Sequence, residues 1–234
     1  MDSVALPAGT VTFVFSDVEG STELLKRLGD HYAELISDHR SIVRETFGAH
    51  GGVEIDAQGD AFFFAFARAR DAVAAAVEAQ RAHAEHSWPD GGHVRVRMGL
   101  HTGEPAVGEE GYLGLDVVRA ARICTAGKGG HVLVSEATRV LLGASLPQGV
   151  SVHPMGERRL KDLDEPERVY ELVIDGVEQP EPAARTPVEV EADADADFDA
   201  RAADFARRFS EDIKANVLHS LERRLGERES RRRP

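Results

Sequence analysis

The stretch VEIDAQGDAFFFAF (Val53–Phe66) carries two acids, Asp56 and Asp60, around a Gln58-Gly59 step. Val53–Ile55 and Ala61–Phe66 are β-branched or aromatic runs, and Gln58-Gly59 reads as a tight turn. The segment therefore predicts a β-hairpin with a carboxylate at its tip. The FFFAF run reads as a buried strand rather than a base-stacking platform, because Phe at alternate positions can fill a core. What Asp60 holds, and whether Asp56 shares its chemistry, depends on what the chain sets beside them.

Upstream, TFVFSDV (Thr12–Val18) is β-branched and aromatic and predicts a buried strand that delivers Asp17 near its end. A long helical stretch follows, with Leu24, Leu28, Tyr32, Leu35 and Ile36 at helical spacing. Ser21 or Thr22 with Glu23 suits its start, and Gly51-Gly52 its end. Downstream, ARDAVAAAVEAQRAHAEH predicts a helix, and VRVRMGLHTGEP alternates as a strand with one wet face. LDVVRAARICTAG predicts a helix closed by Gly127, HVLVS a strand, EATRVLL a short helix, and VSVHPMG and RVYELV the last strands. The hairpin interrupts any β-α alternation. The order thus favours an α+β sheet with helices on one face over a doubly wound parallel sheet.

The 234 residues suffice for one sizeable domain plus an appendage. A net charge of −13 argues against a basic nucleic-acid-binding surface, though not against a nucleotide, which needs only a local site. The single cysteine, Cys124, excludes an intrachain disulfide and a cysteine metal cluster, and reads as a small core residue. The N-terminal residues lack a signal-peptide pattern and no run is long enough to span a membrane, so a soluble, cytoplasmic protein is expected. Residues 176–197 are rich in Pro, Ala and acids and predict a flexible linker. Residues 198–230 predict an amphipathic helix whose stripe runs through Phe205, Phe209, Ile213, Val217, Leu221 and Leu225. That helix suits docking on its own dimer, pairing with another chain, or peripheral contact with a membrane.

If the two acid-bearing strands are neighbours, Asp17 and Asp60 meet at one sheet edge. Two carboxylates with no nearby His or Cys suit hard cations such as Mg²⁺ or Mn²⁺, which would hold a polyphosphate for in-line attack at phosphorus. The turn after Asp17, Gly20-Ser21-Thr22, enters a helix whose first backbone N–H groups can face phosphate oxygens. Taken singly, each acid is equally at home as an ordinary turn residue.

Five blocks together carry a resemblance: TFVFSDVEGST, QGDAFFFAF, VRVRMGLHTGEP, YLGLDVVRAARI and RLKDLDEPERVYEL. In this order and spacing the chain from residue 9 to 174 resembles the class III adenylate/guanylate cyclase catalytic domain. The resemblance implies a ferredoxin-like sandwich, with a mixed, largely antiparallel sheet covered by helices. It also implies conversion of a nucleoside triphosphate to a 3′,5′-cyclic monophosphate and pyrophosphate, a phosphorus–oxygen lyase reaction. Two Mg²⁺ or Mn²⁺ ions per site would be held by Asp17, Asp60 and the Val18 carbonyl. The sites would form at a head-to-tail homodimer interface, where Arg122 stabilises phosphate charge. Lys161 in RLKDL stands where the family can place a phosphate-binding lysine.

Three positions depart from the family pattern. The adenine-reading lysine, four residues before the second metal aspartate, is Asp56; its partner aspartate is Gly111; the transition-state asparagine, four before the arginine, is Val118. A carboxylate has no proton for adenine N1 but can accept from guanine N1–H and its exocyclic amine, a lean toward GTP over ATP. Val118 cannot hydrogen-bond the ribose or the attacking oxygen, a loss worth roughly 3 kcal/mol, or a hundredfold in rate. Three readings follow: a homodimeric cyclase of low turnover, a heterodimer in which a second cyclase chain supplies the asparagine, and a nucleotide-binding or protein-interaction module without turnover. His101 in GLHTG reads as structural.

Overall fold

A computed structural model of the chain describes residues 6–89, 93–108 and 111–180. The expected C-terminal helix and most of the linker lie outside these residues. Among them, seven strands form one sheet in the order β2-β3-β1-β4-β7-β9-β8. β1 (Val11–Val18) is antiparallel to both β3 (Ala61–Phe66) and β4 (Val96–Gly103), and β2 (Val53–Gln58) pairs with β3 at the edge. β4 runs parallel to β7 (Val132–Ser135), and β9 (Glu167–Ile174) and β8 (Val150–Arg158) complete the far side antiparallel. A separate small hairpin, β5 (Ala106–Gly108) and β6 (Gly111–Leu113), was not foreseen.

All eight residues of β1 are buried, because it lies mid-sheet with cover on both faces. The Phe run of β3 divides by parity. Phe62, Phe64 and Phe66 join the core under the first helices, and Phe63 and Ala65 join Phe13, Phe15 and Tyr112 on the opposite face. The helices accordingly lie on both faces, not on one. α1 (Ser21–Leu28), α2 (Tyr32–Ala49), α3 (Ala69–Glu85) and α5 (Glu136–Leu142) contribute to the first core, whereas α4 (Leu115–Thr125) covers the second. A sheet whose central strands are apolar on both faces needs two covers.

Two further expectations shift. The long helical stretch breaks at Gly29, whose φ of 53° ends α1 and leads through a 3₁₀ turn into α2. β4 has no wet face at Arg97: Arg95 is exposed, but Arg97 is 4% exposed, because the strand is central. α4 can approach β4 only because Gly99 lacks a side chain, since a Cβ there would stand 2.2 Å from the Cys124 backbone nitrogen. Gly99→Ala is expected to displace α4 and cost about 1–3 kcal/mol, the usual scale for overpacking. Urea unfolding of the variant beside the wild type measures it.

Candidate active site

Strand register brings the two acids together. The β1–β3 ladder runs from Thr12↔Phe66 to Ser16↔Phe62, so the end of β1 meets the turn of the β2–β3 hairpin. That turn is Gly59-Asp60, one residue later than expected, since Gln58 pairs with Ala61. Asp60 Oδ2 accepts from the Val18 backbone N–H at 3.2 Å. Asp17 and Asp60 are 1% and 3% exposed, so Asp17, Val18 and Asp60 form one buried group at the sheet edge.

Asp17 alternates with Phe13 and Phe15 and so faces the α4 side of the sheet. Its cross-strand neighbour is Arg97, which donates to Asp17 Oδ2 from Nε at 3.2 Å and from Nη2 at 2.7 Å. A buried carboxylate needs a counter-charge, and here the β4 arginine provides one. Sequence reading passed over Arg97 because VRVR looked like a solvated alternation.

Asp60 is held from behind as well. His39 Nε2 lies 2.9 Å from its carbonyl oxygen, and Arg40 donates to the Gly59 carbonyl from Nε at 2.9 Å and Nη2 at 2.6 Å. His39 Nδ1 lies 2.9 Å from His83 Nε2, and His83 Nδ1 lies 2.7 Å from the Ala79 carbonyl. Trp88 stacks on His83 and donates from Nε1 to its carbonyl at 2.9 Å. None of these residues was singled out for a site role in the sequence. One signal was present: His39 occupies the apolar stripe Leu35–His39–Val43 of α2, where a polar side chain needs a partner.

The remaining candidates fall into two places. Asp56, half-buried on β2, uses Oδ1 to accept from the Ala57 N–H at 2.9 Å and Oδ2 to accept from Gln58 Nε2 at 3.1 Å. Gly20 (φ 66°) opens α1 directly after β1, and its carbonyl accepts from the Glu23 and Leu24 N–H groups at 3.0 Å. Ser21 is buried and Thr22 exposed in that first turn. Gly111 starts β6, Val118 is half-buried on α4, and Arg122, on the same helix, is buried. Arg122 pairs with Asp162, a φ-positive residue of the β8–β9 loop next to the exposed Lys161. One chain thus groups Asp17, Val18 and Asp60 where the end of β1 meets the β2–β3 turn, with the α1 entry following directly in the chain. Arg122 reaches the β8–β9 loop through Asp162, the neighbour of Lys161 in sequence.

His101 has the structural role expected of it. Nδ1 lies 2.9 Å from Ser135 Oγ and Nε2 lies 3.2 Å from Asp116 Oδ1, joining β4 to the starts of α5 and α4. The His101 contact holds the Asp116 carboxyl below its usual range. Ser135 is fully buried and caps α5, so this Ser-His-Asp line is not an accessible nucleophile. Burial pushes the Cys124 thiol up to about 12, which leaves it an inert core residue.

The donor set at the sheet edge is oxygen only: two buried carboxylates beside a backbone carbonyl. This fits a hard divalent cation. Among the described residues no group of three or more His, Cys, Asp and Glu side chains is gathered for a metal.

The model of the adenylate and guanylate cyclase catalytic domain matches residues 4–173. The chain belongs to this family. An uncharacterized protein of Mycobacterium tuberculosis (strain ATCC 25618 / H37Rv) is 36% identical over 182 residues, covering 77% of this chain and 61% of its own length. The chain therefore spans about three fifths of such relatives. An adenylate cyclase of Podospora anserina is 27% identical over 226 residues, which cover 72% of this chain but 10% of that protein. Among solved structures, an adenylate cyclase of Trypanosoma brucei in its monomeric state superposes with a TM-score of 0.68 at 24% identity, over 76% of this chain and 94% of that one. The guanylate cyclase domain of RhGC from Catenaria anguillulae superposes at 0.62 and 18% identity, over 71% and 97%. These superpositions establish the shared α+β fold. Class III cyclases generally use divalent metals and typically dimerise. No helix among the described residues is long and apolar enough to cross a membrane.

The buried histidine pair of this domain yields a pH test. Burial, and then the neighbouring His39, lower the His83 pKa from 6.5 to about 3. The unfolded chain binds a proton on His83 across that window and the folded chain does not, so stability falls as pH drops from about 6.5 toward 3. His83→Gln is expected to flatten this fall by up to about 1.4 kcal/mol per pH unit, one proton's worth. Urea unfolding at a series of pH values measures the slope.

Proposed function

We propose that the chain is a class III nucleotide cyclase acting on GTP or ATP. The ribose 3′ oxygen attacks the α-phosphorus, and the bond from that phosphorus to the bridging oxygen breaks. Pyrophosphate leaves with the bonding pair, and the hydroxyl proton passes to solvent. The observation that supports this most is the buried group of Asp17, Val18 and Asp60, joined by the Val18 N–H to Asp60 Oδ2 contact.

Two Mg²⁺ or Mn²⁺ ions, when bound, would neutralise polyphosphate charge and favour the ionised 3′ oxygen. Asp17, Asp60 and the Val18 carbonyl would hold them. Arg97, already beside Asp17, adds a fixed positive charge to the same pocket. The first turn of α1, from Gly20 through Ser21 and Thr22, offers backbone N–H groups to phosphate oxygens. Arg122 and Lys161 would serve the site of a second copy of the chain. Arg122 would exchange Asp162 for substrate phosphate. Asp56 and Gly111 stand at the base-reading positions, and the preset Asp56 carboxylate suits the donors of guanine.

A second reading is favoured by Val118. A half-buried valine offers nothing to the ribose, and a domain that binds nucleotide without turnover, or borrows an asparagine from a heterodimer partner, fits that position.

The two readings separate in one assay. The purified chain with Mn²⁺ and each of ATP, GTP, CTP and UTP is expected to form cyclic product, with Asp60→Ala lower by at least about a hundredfold. No product from any nucleotide, together with calorimetric binding of a nucleotide–Mn²⁺ complex, would establish the binding module instead. Within an active enzyme, Asp56→Lys is expected to lower the GTP/ATP ratio of kcat/KM by about tenfold or more, because the lysine donates to adenine N1 and repels guanine N1–H.

A further inference from the structure

We propose that His39 and Arg40 are positioning residues of the metal site, gripping the Asp60 and Gly59 carbonyls and so fixing where the Asp60 carboxylate stands. This rests on the reading of Asp60 as a metal ligand.

A hairpin tip on the edge of a sheet is ordinarily among the looser parts of a fold. The β2–β3 turn is different. His39 Nε2 at 2.9 Å serves the Asp60 carbonyl, and the Arg40 guanidinium serves the Gly59 carbonyl through two donors at 2.9 and 2.6 Å. Successive residues on a helix point about 100° apart, so they seldom serve the same target. Here both reach the turn, each on one of two consecutive carbonyls. On the other side the Asp60 carboxylate is tied to the Val18 N–H at 3.2 Å. The aspartate is therefore fixed at both ends: backbone from α2, carboxylate from β1.

The His39 ring is itself held. It lies tilted against Phe62 at 5.7 Å between centroids, and its Nδ1 lies 2.9 Å from His83 Nε2. His83 is anchored by the Ala79 carbonyl and by Trp88. Two neutral imidazoles carry only two N–H protons for the three contacts to the Asp60 carbonyl, between the rings and to the Ala79 carbonyl, so the packing of the rings, together with the Trp88 N–H on the His83 carbonyl, ties α3 to α2 beside the turn. His39 is fully buried and His83 is 3% exposed, so water cannot substitute for a lost donor. Outer partners of metal ligands commonly set metal affinity by about ten- to a hundredfold without touching the ion.

The test uses the full chain and three variants. His39→Leu removes the donor, His39→Gln keeps one, and Arg40→Met removes the second grip at a residue outside the core. Mn²⁺ binding is measured by electron paramagnetic resonance with 3′-deoxy-GTP or 3′-deoxy-ATP, which cannot cyclise. His39→Leu and Arg40→Met are expected to weaken Mn²⁺ binding by about tenfold or more and His39→Gln by much less. In turnover, the Mn²⁺ concentration for half-maximal rate should rise by the same factor, with nucleotide KM at saturating Mn²⁺ within about twofold. If His39→Leu does not fold, Arg40→Met decides. Folded variants that bind Mn²⁺ as tightly as the wild type, even with lowered melting temperatures, would overturn this inference and leave the cyclase reading standing. A wild-type chain that binds no Mn²⁺ with either nucleotide would overturn the metal reading, and this inference with it.

Discussion

The end of β1 is the point on which the candidate site depends. There a fully buried strand lies between two antiparallel neighbours, so the residues opposite it are dictated by register. One neighbour brings Arg97 against Asp17 and the other brings the Gly59-Asp60 turn against Val18. Two buried carboxylates lose hydration, a cost that stands unless cations or N–H donors answer it. The fold answers with a guanidinium for Asp17 and a backbone amide for Asp60.

The two faces of the sheet divide the labour. On one, α2 and α3 pack on Phe62, Phe64 and Phe66 and carry the His39–His83 line that reaches the turn from behind. On the other, α4 lies against Phe13, Phe15 and Phe63, as closely as Gly99 permits, and carries Val118 and Arg122. The pair formed by Arg122 and Asp162 ties α4 to the β8–β9 loop. Packing of α4 thus governs where the candidate phosphate-binding cation stands, while packing of α2 governs the turn that carries Asp60.

Much of this was legible along the chain. The strand ending near Asp17 and the hairpin at Asp60 are local patterns: an apolar run, a Gly-containing turn, a second apolar run. Family blocks in register extended the reading to the fold. Other features were not legible for a physical reason. Arg97 lay in an alternating stretch indistinguishable from a half-wet strand until the sheet order made β4 central. His39 and His83 are 44 residues apart, and nothing in either neighbourhood announces the other. The one-face arrangement of helices failed because periodicity shows that a helix has an apolar stripe, not which side of the sheet receives it.

The sequence by itself determined the family, the approximate limits of most of the described strands and helices, and the two carboxylates at successive strand ends, because these follow from local periodicity, turn chemistry and motif spacing. Only the tertiary structure decided what surrounds those carboxylates. The Arg97 counter-charge, the clamp of His39 and Arg40 and the hold of Asp162 on Arg122 are matters of distance. Most of these distances are set by how helices settle on a sheet with a given strand order. Residues remote in the chain become neighbours only when the core closes, and no local pattern encodes that.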